Sequence, residues 1–199
     1  MQDISDRIKQ IAKEAEPELI SIRRELHQYP ELGINLPKTH EIISRELKKI
    51  PNLKVREHMA GGYGIIAELQ GKKAQGKNIL LRADIDALPL EEQVDCDYKS
   101  THACGHDGHA TWLIGAAKIL ARLTGEFGGC IRFAFQPGEE VGLGADTMIL
   151  EDKVLEEPKI DMAFAAHGWP SVQSGKIGIV RRYAFGCVGG FQVKITGKK

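Results

Sequence analysis

The sequence predicts an α/β fold, a mixed twisted sheet flanked by helices, on three observations. Apolar residues recur at three- and four-residue steps over residues 4–50, short β-branched runs bounded by Gly, Pro and Asn follow, and helical spacing returns after residue 108. At 199 residues, 42% hydrophobic and 27% charged, the chain can bury one sizeable core and is neither disordered nor low in complexity.

Ile4, Ile8, Ile11, Ala12, Ala15, Leu19, Ile22 and Leu26 line one amphipathic helical face, which Pro17 is expected to kink or break and which ends at Tyr29-Pro30. A second helix opens near Pro37 and runs to about Lys49, with Ile42, Ile43, Leu47 and Ile50 inward and Pro51-Asn52 as the stop. Strands are predicted at 53–57, 64–69 and 78–83, separated by Gly61-Gly62 and by the polar turn 71–76. From Gly108 to about Leu123 a helix should bury Trp112, Leu113, Ala116, Ile119 and Leu120. Residues 128–135 read as a buried strand turned by Gln136-Pro137-Gly138, and residues 162–166 as another, with His167 at its exit. Strand ends of open α/β sheets are where ligands bind.

Charge excludes some partners. With 27 basic and 27 acidic residues, the chain carries no electrostatic footprint for nucleic acid or an anionic membrane. The polar start lacks an apolar signal region, no long apolar run follows, and Cys96, Cys104, Cys130 and Cys187 suggest no disulfide framework, so the cytoplasm is the expected compartment.

The chemistry concentrates in Thr101-His102-Ala103-Cys104-Gly105-His106-Asp107-Gly108-His109 and in Gln136-Pro137-Gly138-Glu139-Glu140. Cys and His nitrogen and sulfur donors select a transition metal such as zinc, and adjacent glutamates can divide into one metal ligand and one proton carrier. Any one of these residues alone is more readily a buried thiol, a helix cap or a solvated turn. Together they fit a catalytic site: Cys104 and His106, two apart, would face the same way in an extended segment, and no Cys-x-x-Cys pair of a structural zinc site occurs. A hydrolase using Cys104 as nucleophile has the right residue types but leaves the Glu pair and His167 unexplained.

Five segments carry a resemblance: residues 23–33 (RRELHQYPELG), 81–89 (LRADIDALP), 102–109, 136–140 and Ala166-His167. In this order they resemble the amidohydrolase branch of the aminoacylase-like metallopeptidases, which includes hippurate hydrolases, N-acyl-amino-acid amidohydrolases and indole-acetyl-amino-acid hydrolases. The resemblance implies a zinc-peptidase-like catalytic domain with two divalent ions per site, zinc or manganese first, cobalt or nickel as alternatives. It implies Cys104, His106, Glu140 and His167 as metal ligands and Glu139 as general base for hydrolysis of the amide bond in N-acyl amino acids or related small conjugates. Relatives outside the branch carry a His-x-Asp where this chain has Asp84-Ile85-Asp86. Direct ligation is therefore not expected of Asp84, and Asp86 is expected to hold or tune a ligand's imidazole. His109 is read either as a residue behind the ligands or as a helix cap, Arg82 as a partner of the two carboxylates, and His27 as structural.

Members of this branch run about twice this length, with an inserted lid or dimerisation domain and a closing segment that brings one more metal-binding His. The resemblance therefore divides the chain into a truncated catalytic domain, residues 1–186, and the start of the inserted domain, residues 187–199, with a homodimer expected of the full-length form. A catalytically inactive metal-binding fragment of the same family is the alternative.

Overall fold

Helix α1 (Ile4–His27) begins where the Asp3 carboxylate accepts the Ser5 N–H at 3.4 Å, and it continues unbroken through Pro17, contrary to the expected interruption. Proline removes one backbone bond. Packing on both sides compensates: Ile11, Ile22 and Leu26 are buried, and Leu19 lies against Gly115 so closely that a Cβ there would meet Leu19 Cδ1 at 2.9 Å. Helix α2 (Pro37–Lys48) follows the sequence reading, with Pro37 in its first turn and Ile42, Ile43, Leu47 and Ile50 all buried. The computed structural model describes residues 3–90, 100–182 and 193–197.

Five strands form one mixed sheet in the order β1-β2-β4-β3-β5: β1 (Lys54–Met59), β2 (Gly64–Gln70), β3 (Ile79–Asp84), β4 (Cys130–Gln136) and β5 (Met162–Ala165). The β1/β2 and β2/β4 pairs are antiparallel, while β3 runs parallel to both β4 and β5. Side chains alternate across the sheet. Ile65, Ala67, Leu69, Ile131, Phe133 and Phe135 join Ile22, Leu26, Ile43, Leu47 and Ile114 in the larger core, and Ile66, Leu80 and Ala134 meet Met148 and Val154 on the other side. Met148 belongs to α4 (Ala145–Leu150), a short helix that periodicity did not reveal.

Central β4 is buried at every position, including Arg132 at 1% exposure. Its guanidinium donates to Glu68 Oε1 at 2.7 Å and to the carbonyls of Val154 (2.8 Å), Glu156 (2.7 Å) and Glu157 (3.0 Å), so the buried charge is both paired and hydrogen-bonded.

Helix α3 (His106–Ala121) departs from the sequence reading in two ways. It starts at His106 rather than Gly108, and its inward face runs through His106, Ala110, Leu113, Ile114 and Ala117, which leaves Trp112 52% exposed and Ile119 only half-buried. The helical spacing was right but the face was rotated. His106 and His109, at i and i+3, occupy the inner face, and Trp112 stacks outside them with its ring 5.3 Å from His109.

Residues Met1–Gly168 form one compact unit and Trp169–Lys199 a second. In the second, the described residues 169–182 and 193–197 carry no helix or strand, and turn bonds link Val172 N–H to Trp169 O and Lys176 N–H to Gln173 O. The expected boundary at 186/187, Cys96 and Cys187 lie outside the described residues. Cys104 and Cys130 are free thiols, and no helix among the described residues is long and apolar enough to cross a membrane.

Candidate metal centre

Parallel pairing builds the site. Asp84 pairs with Gln136, and Arg82 with Ala165, so β3, β4 and β5 all release their chains at the same sheet edge. Beyond those ends come Asp86, the Glu139-Glu140 pair and His167, and the turn into α3 brings Cys104 and His106 to the same place.

That turn corrects the extended segment expected around Cys104. Gly105 adopts φ 87° and ψ 18°, its N–H bonding to the His102 carbonyl at 2.9 Å, so Cys104 and His106 converge through a left-handed turn rather than by strand alternation. Ligand atoms of Cys104, His106 and Glu140 lie within 4.8 Å of one another, and those of Asp84, His106, His109 and His167 form a second such group. Cys104 Sγ is 3.4 Å from His167 Nε2, which links the two. The four expected ligands thus sit in one cluster, with His167 grouped beside Asp84 and His109.

His106 is completely buried, with Nε2 facing Asp84 Oδ2 (3.6 Å), Glu140 Oε1 (3.6 Å) and Glu139 Oε2 (3.8 Å), and Nδ1 facing Asp86 Oδ1 at 3.3 Å. None of these contacts meets hydrogen-bond geometry: both His106 nitrogens, Asp86 Oδ1 and Glu140 Oε1 are buried without a partner among the described residues. Unsatisfied buried polar atoms are rare in native proteins and call for a partner such as water, a ligand or an ion; Glu46 Oε2 and both His102 nitrogens share this state elsewhere, but only here, among the described residues, do several such atoms face one another. Asp86 Oδ2 also accepts the Glu140 N–H at 3.1 Å, fixing the glutamate loop to the strand end.

Asp84 and His109 are held differently. Asp84 accepts from His109 Nδ1 (2.6 Å) and Arg82 Nη1 (2.9 Å), while His109 Nε2 accepts the Gly168 N–H at 2.8 Å. Both His109 nitrogens are therefore committed, and the imidazole spans from β3 to the residue after His167. Burial works to raise the Asp84 pKa, but the His109 hydrogen bond and the charges of His106 and Arg82 outweigh it and hold the group at about 2. Arg82 also donates through Nε to Gln136 Oε1 at 3.0 Å, so it pairs with Asp84 as anticipated.

The local field is strongly negative. Burial opposes a charged His106, yet Asp86, Asp84 and Glu140 raise its pKa, while Glu139 is raised by its own burial and then by Asp84 and Glu140. Burial and the same carboxylates push the Cys104 thiol up to about 12. These surroundings oppose a free thiolate, which counts against Cys104 as a nucleophile and fits a sulfur that ionises onto a cation. A donor set of thiol, imidazole and carboxylate, rich in negative charge and with orphaned lone pairs, suits a divalent transition metal.

Behind this cluster the sequence reading missed a further one. Asp107 Oδ2 accepts from His27 Nδ1 (2.7 Å) and forms an ion pair with Arg23, whose Nε is 3.0 Å away, and buried His102 lies beside it with its ring 6.3 Å from that of His27. Burial lowers the His102 pKa to about 4, so this imidazole is neutral at neutral pH. Only the i, i+3 spacing of His106 and His109 gave a sequence signal for the helical inner face; no local pattern joins Asp107 to residues 80 positions earlier.

Comparison with known proteins gives a consistent picture. The model of peptidase family M20/M25/M40 matches residues 80–196. An N-acetyl-L-cysteine deacetylase from Bacillus subtilis (strain 168) is 40% identical over 188 residues, covering 92% of this chain and 44% of that protein. An N-acyl-L-amino acid amidohydrolase from Geobacillus stearothermophilus is 33% identical over 198 residues, covering 97% and 52% respectively. The chain spans about half the length of the curated relatives it matches. A crystal structure of a Bacillus subtilis protein described as a dinuclear metal binding peptidase from the M20 family superposes with a TM-score of 0.73 at 36% identity, over 80% of this chain and 44% of that one.

Proposed function

The chain belongs to peptidase family M20/M25/M40, and on that premise we propose that it supplies the metal-binding and proton-transfer groups of an enzyme that hydrolyses the amide bond of N-acyl amino acids or related small conjugates. The observation that carries this reading is the cluster of Cys104, His106, Glu140, Asp86 and His167 at the sheet edge, in which both His106 nitrogens, Asp86 Oδ1 and Glu140 Oε1 have no hydrogen-bond partner among the described residues. The names of the relatives, an N-acetyl-L-cysteine deacetylase and an N-acyl-L-amino acid amidohydrolase, support the substrate class.

In this reading Cys104, His106, Glu140 and His167 hold two divalent ions, zinc or manganese, with cobalt or nickel as alternatives. When bound, the metal supplies Lewis acidity for the scissile carbonyl and a lowered pKa for the attacking water. Two exposures support the division of the glutamate pair. Glu140, 19% exposed and with its N–H fixed by Asp86, is placed as a ligand, and Glu139, 41% exposed, is freer to take the water's proton and pass it to the leaving nitrogen. Asp86 faces His106 Nδ1 at 3.3 Å and fixes the glutamate loop, and the Arg82–Asp84–His109 chain holds the floor of the site and the residue that follows His167.

The wider assembly belongs to the same reading. Residues 1–186 form the catalytic part, residues 187–199 open an inserted lid domain, and the complete protein is a cytoplasmic homodimer, where a reducing compartment keeps Cys104 available as a ligand. Metal analysis of the purified protein, with hydrolysis assays on a panel of N-acyl amino acids, tests the proposal. Two ions per site and release of free amino acid are expected. Metal uptake without turnover would leave an inactive metal-binding protein, and no uptake of zinc, manganese, cobalt or nickel would overturn the assignment.

A further inference from the structure

The first turn of α3 has an unusual weakness for an element that carries a candidate ligand. Its N-cap is Gly105 in the left-handed region, with no side chain to accept the free N–H groups of the helix start. His106 is the first helical residue, so any rocking of that turn moves its imidazole directly. Asp107, next in sequence and 2% exposed, compensates in two directions. Its Oδ1 accepts the Gly108 N–H at 2.7 Å, satisfying one donor of the helix start, and its Oδ2 accepts from His27 Nδ1 and pairs with the Arg23 guanidinium at the end of α1. The Asp107 carbonyl also accepts the Thr111 hydroxyl at 2.7 Å.

We infer that the Arg23–His27–Asp107 clasp is a positioning device for the metal centre: by tying the start of α3 to the end of α1, it holds the His106 imidazole in its ligating orientation. Asp107 replaces the missing cap and anchors it across 80 residues of sequence. A carboxylate accepts only, so His27 must carry its proton on Nδ1, and the contact is a charge-assisted bond with defined direction. Arg23 adds a positive charge 3.0 Å from the same oxygen. None of the three offers an atom to either metal-ligand group, so the clasp acts through His106.

The inference rests on the proposed metal-site function, and cobalt(II) separates the two. In the full-length protein, cobalt affinity is measured by chelator competition, and the ligand field is read from the visible absorption of the bound ion. Asp107→Asn and His27→Ala should each weaken cobalt binding by about tenfold or more and alter the cobalt spectrum, as loss of groups that orient a metal-binding imidazole does. His27→Asn, which places an amide donor near the lost Nδ1, should restore affinity to within about twofold of wild type. Arg23→Gln, at a half-exposed position that folding tolerates, should show a smaller loss of about threefold with the same spectral trend. Variants that melt earlier yet bind cobalt with unchanged affinity and spectrum would overturn the clasp while leaving the metal site standing. Equal loss in His27→Asn and His27→Ala would also overturn it. Wild-type protein that takes up none of cobalt, zinc, manganese and nickel would sink the metal-site reading itself.

Discussion

Two of the buried polar clusters in this fold are built in opposite ways. Around Arg132, one cation meets the Glu68 carboxylate and three backbone carbonyls. Around His106, the carboxylates of Asp84, Asp86, Glu139 and Glu140 surround imidazoles and a thiol, with several atoms left without partners. The first is closed and satisfied, the second open and over-supplied with negative charge. A satisfied network holds a structure together, whereas an unsatisfied one calls for a further partner, which the proposed function identifies as a divalent ion.

The contrast is sharpest for turnover. On the proposed division, Glu139→Gln should lower amide hydrolysis by roughly 10²- to 10⁴-fold while metal content stays near wild type, because it would remove proton transfer and leave the ligands alone. Glu140→Ala should instead reduce retained metal, measured by elemental analysis after dialysis. Equal metal loss in both variants would show the pair divided wrongly.

Arg132 tests the other cluster. Replacing it with Met strands the Glu68 carboxylate and the carbonyls of Val154, Glu156 and Glu157, and should destabilise the protein by about 3–5 kcal/mol in denaturant titration. Metal affinity of the fraction that remains folded should be unchanged. A variant as stable as wild type would remove the distinction drawn between the two networks.

Adding the missing charge should stabilise the open cluster and leave the closed one untouched. Zinc at 100 times its dissociation constant should raise unfolding stability by about 2.7 kcal/mol, and a chelator should reverse this. Thermal melts with and without metal check it, and the Cys104→Ala variant should show a reduced shift.

The smallest effect concerns Glu46, a buried carboxylate away from the site. Burial tends to raise its pKa, but Lys49 and Arg45 hydrogen-bond to it and the Lys49 and Lys118 charges add to them, so the net shift is downward. A depressed folded-state pKa contributes stability above the ordinary glutamate value, and that contribution is lost as the pH falls through the lowered one. Stability should therefore fall below about pH 4.5, and Glu46→Gln should flatten that part of the profile. An unchanged slope would show that Glu46 does not contribute to it.

Much of this was legible in the sequence, for reasons that differ by element. Helix α2 was read well because Pro37, four apolar positions and a Pro-Asn stop act locally. Strand β4 was read as buried because both of its faces are covered, which erases alternation. The face of α3 was misjudged because Trp112 is apolar yet stacks at the surface on His109, a contact that depends on tertiary placement. Pro17 was overweighted because propensity cannot register the packing of Leu19 against α3. The candidate ligands were legible as residue types in order. Their convergence depends on the left-handed turn at Gly105 and on parallel pairing, and the Asp107 clasp depends on α1 and α3 meeting, none of which a local pattern encodes.

Arg132 also guards the alignment of the distant chemistry. Side chains of a strand alternate, so a one-residue slip of β4 would turn Arg132 toward the side where Phe133 and Phe135 now meet Leu26, Ile43 and Ile114, an apolar layer with no acceptor for five N–H donors. The same slip would carry Gln136 away from Asp84 by about 3.3 Å and drag the glutamate pair out of reach of His106. Mispaired chains thus incur a large penalty at one end of the strand before any error at the other end can matter. Burial of Arg132 against its acceptors disfavours a slipped register, and the geometry at the sheet edge depends on a residue that never touches it.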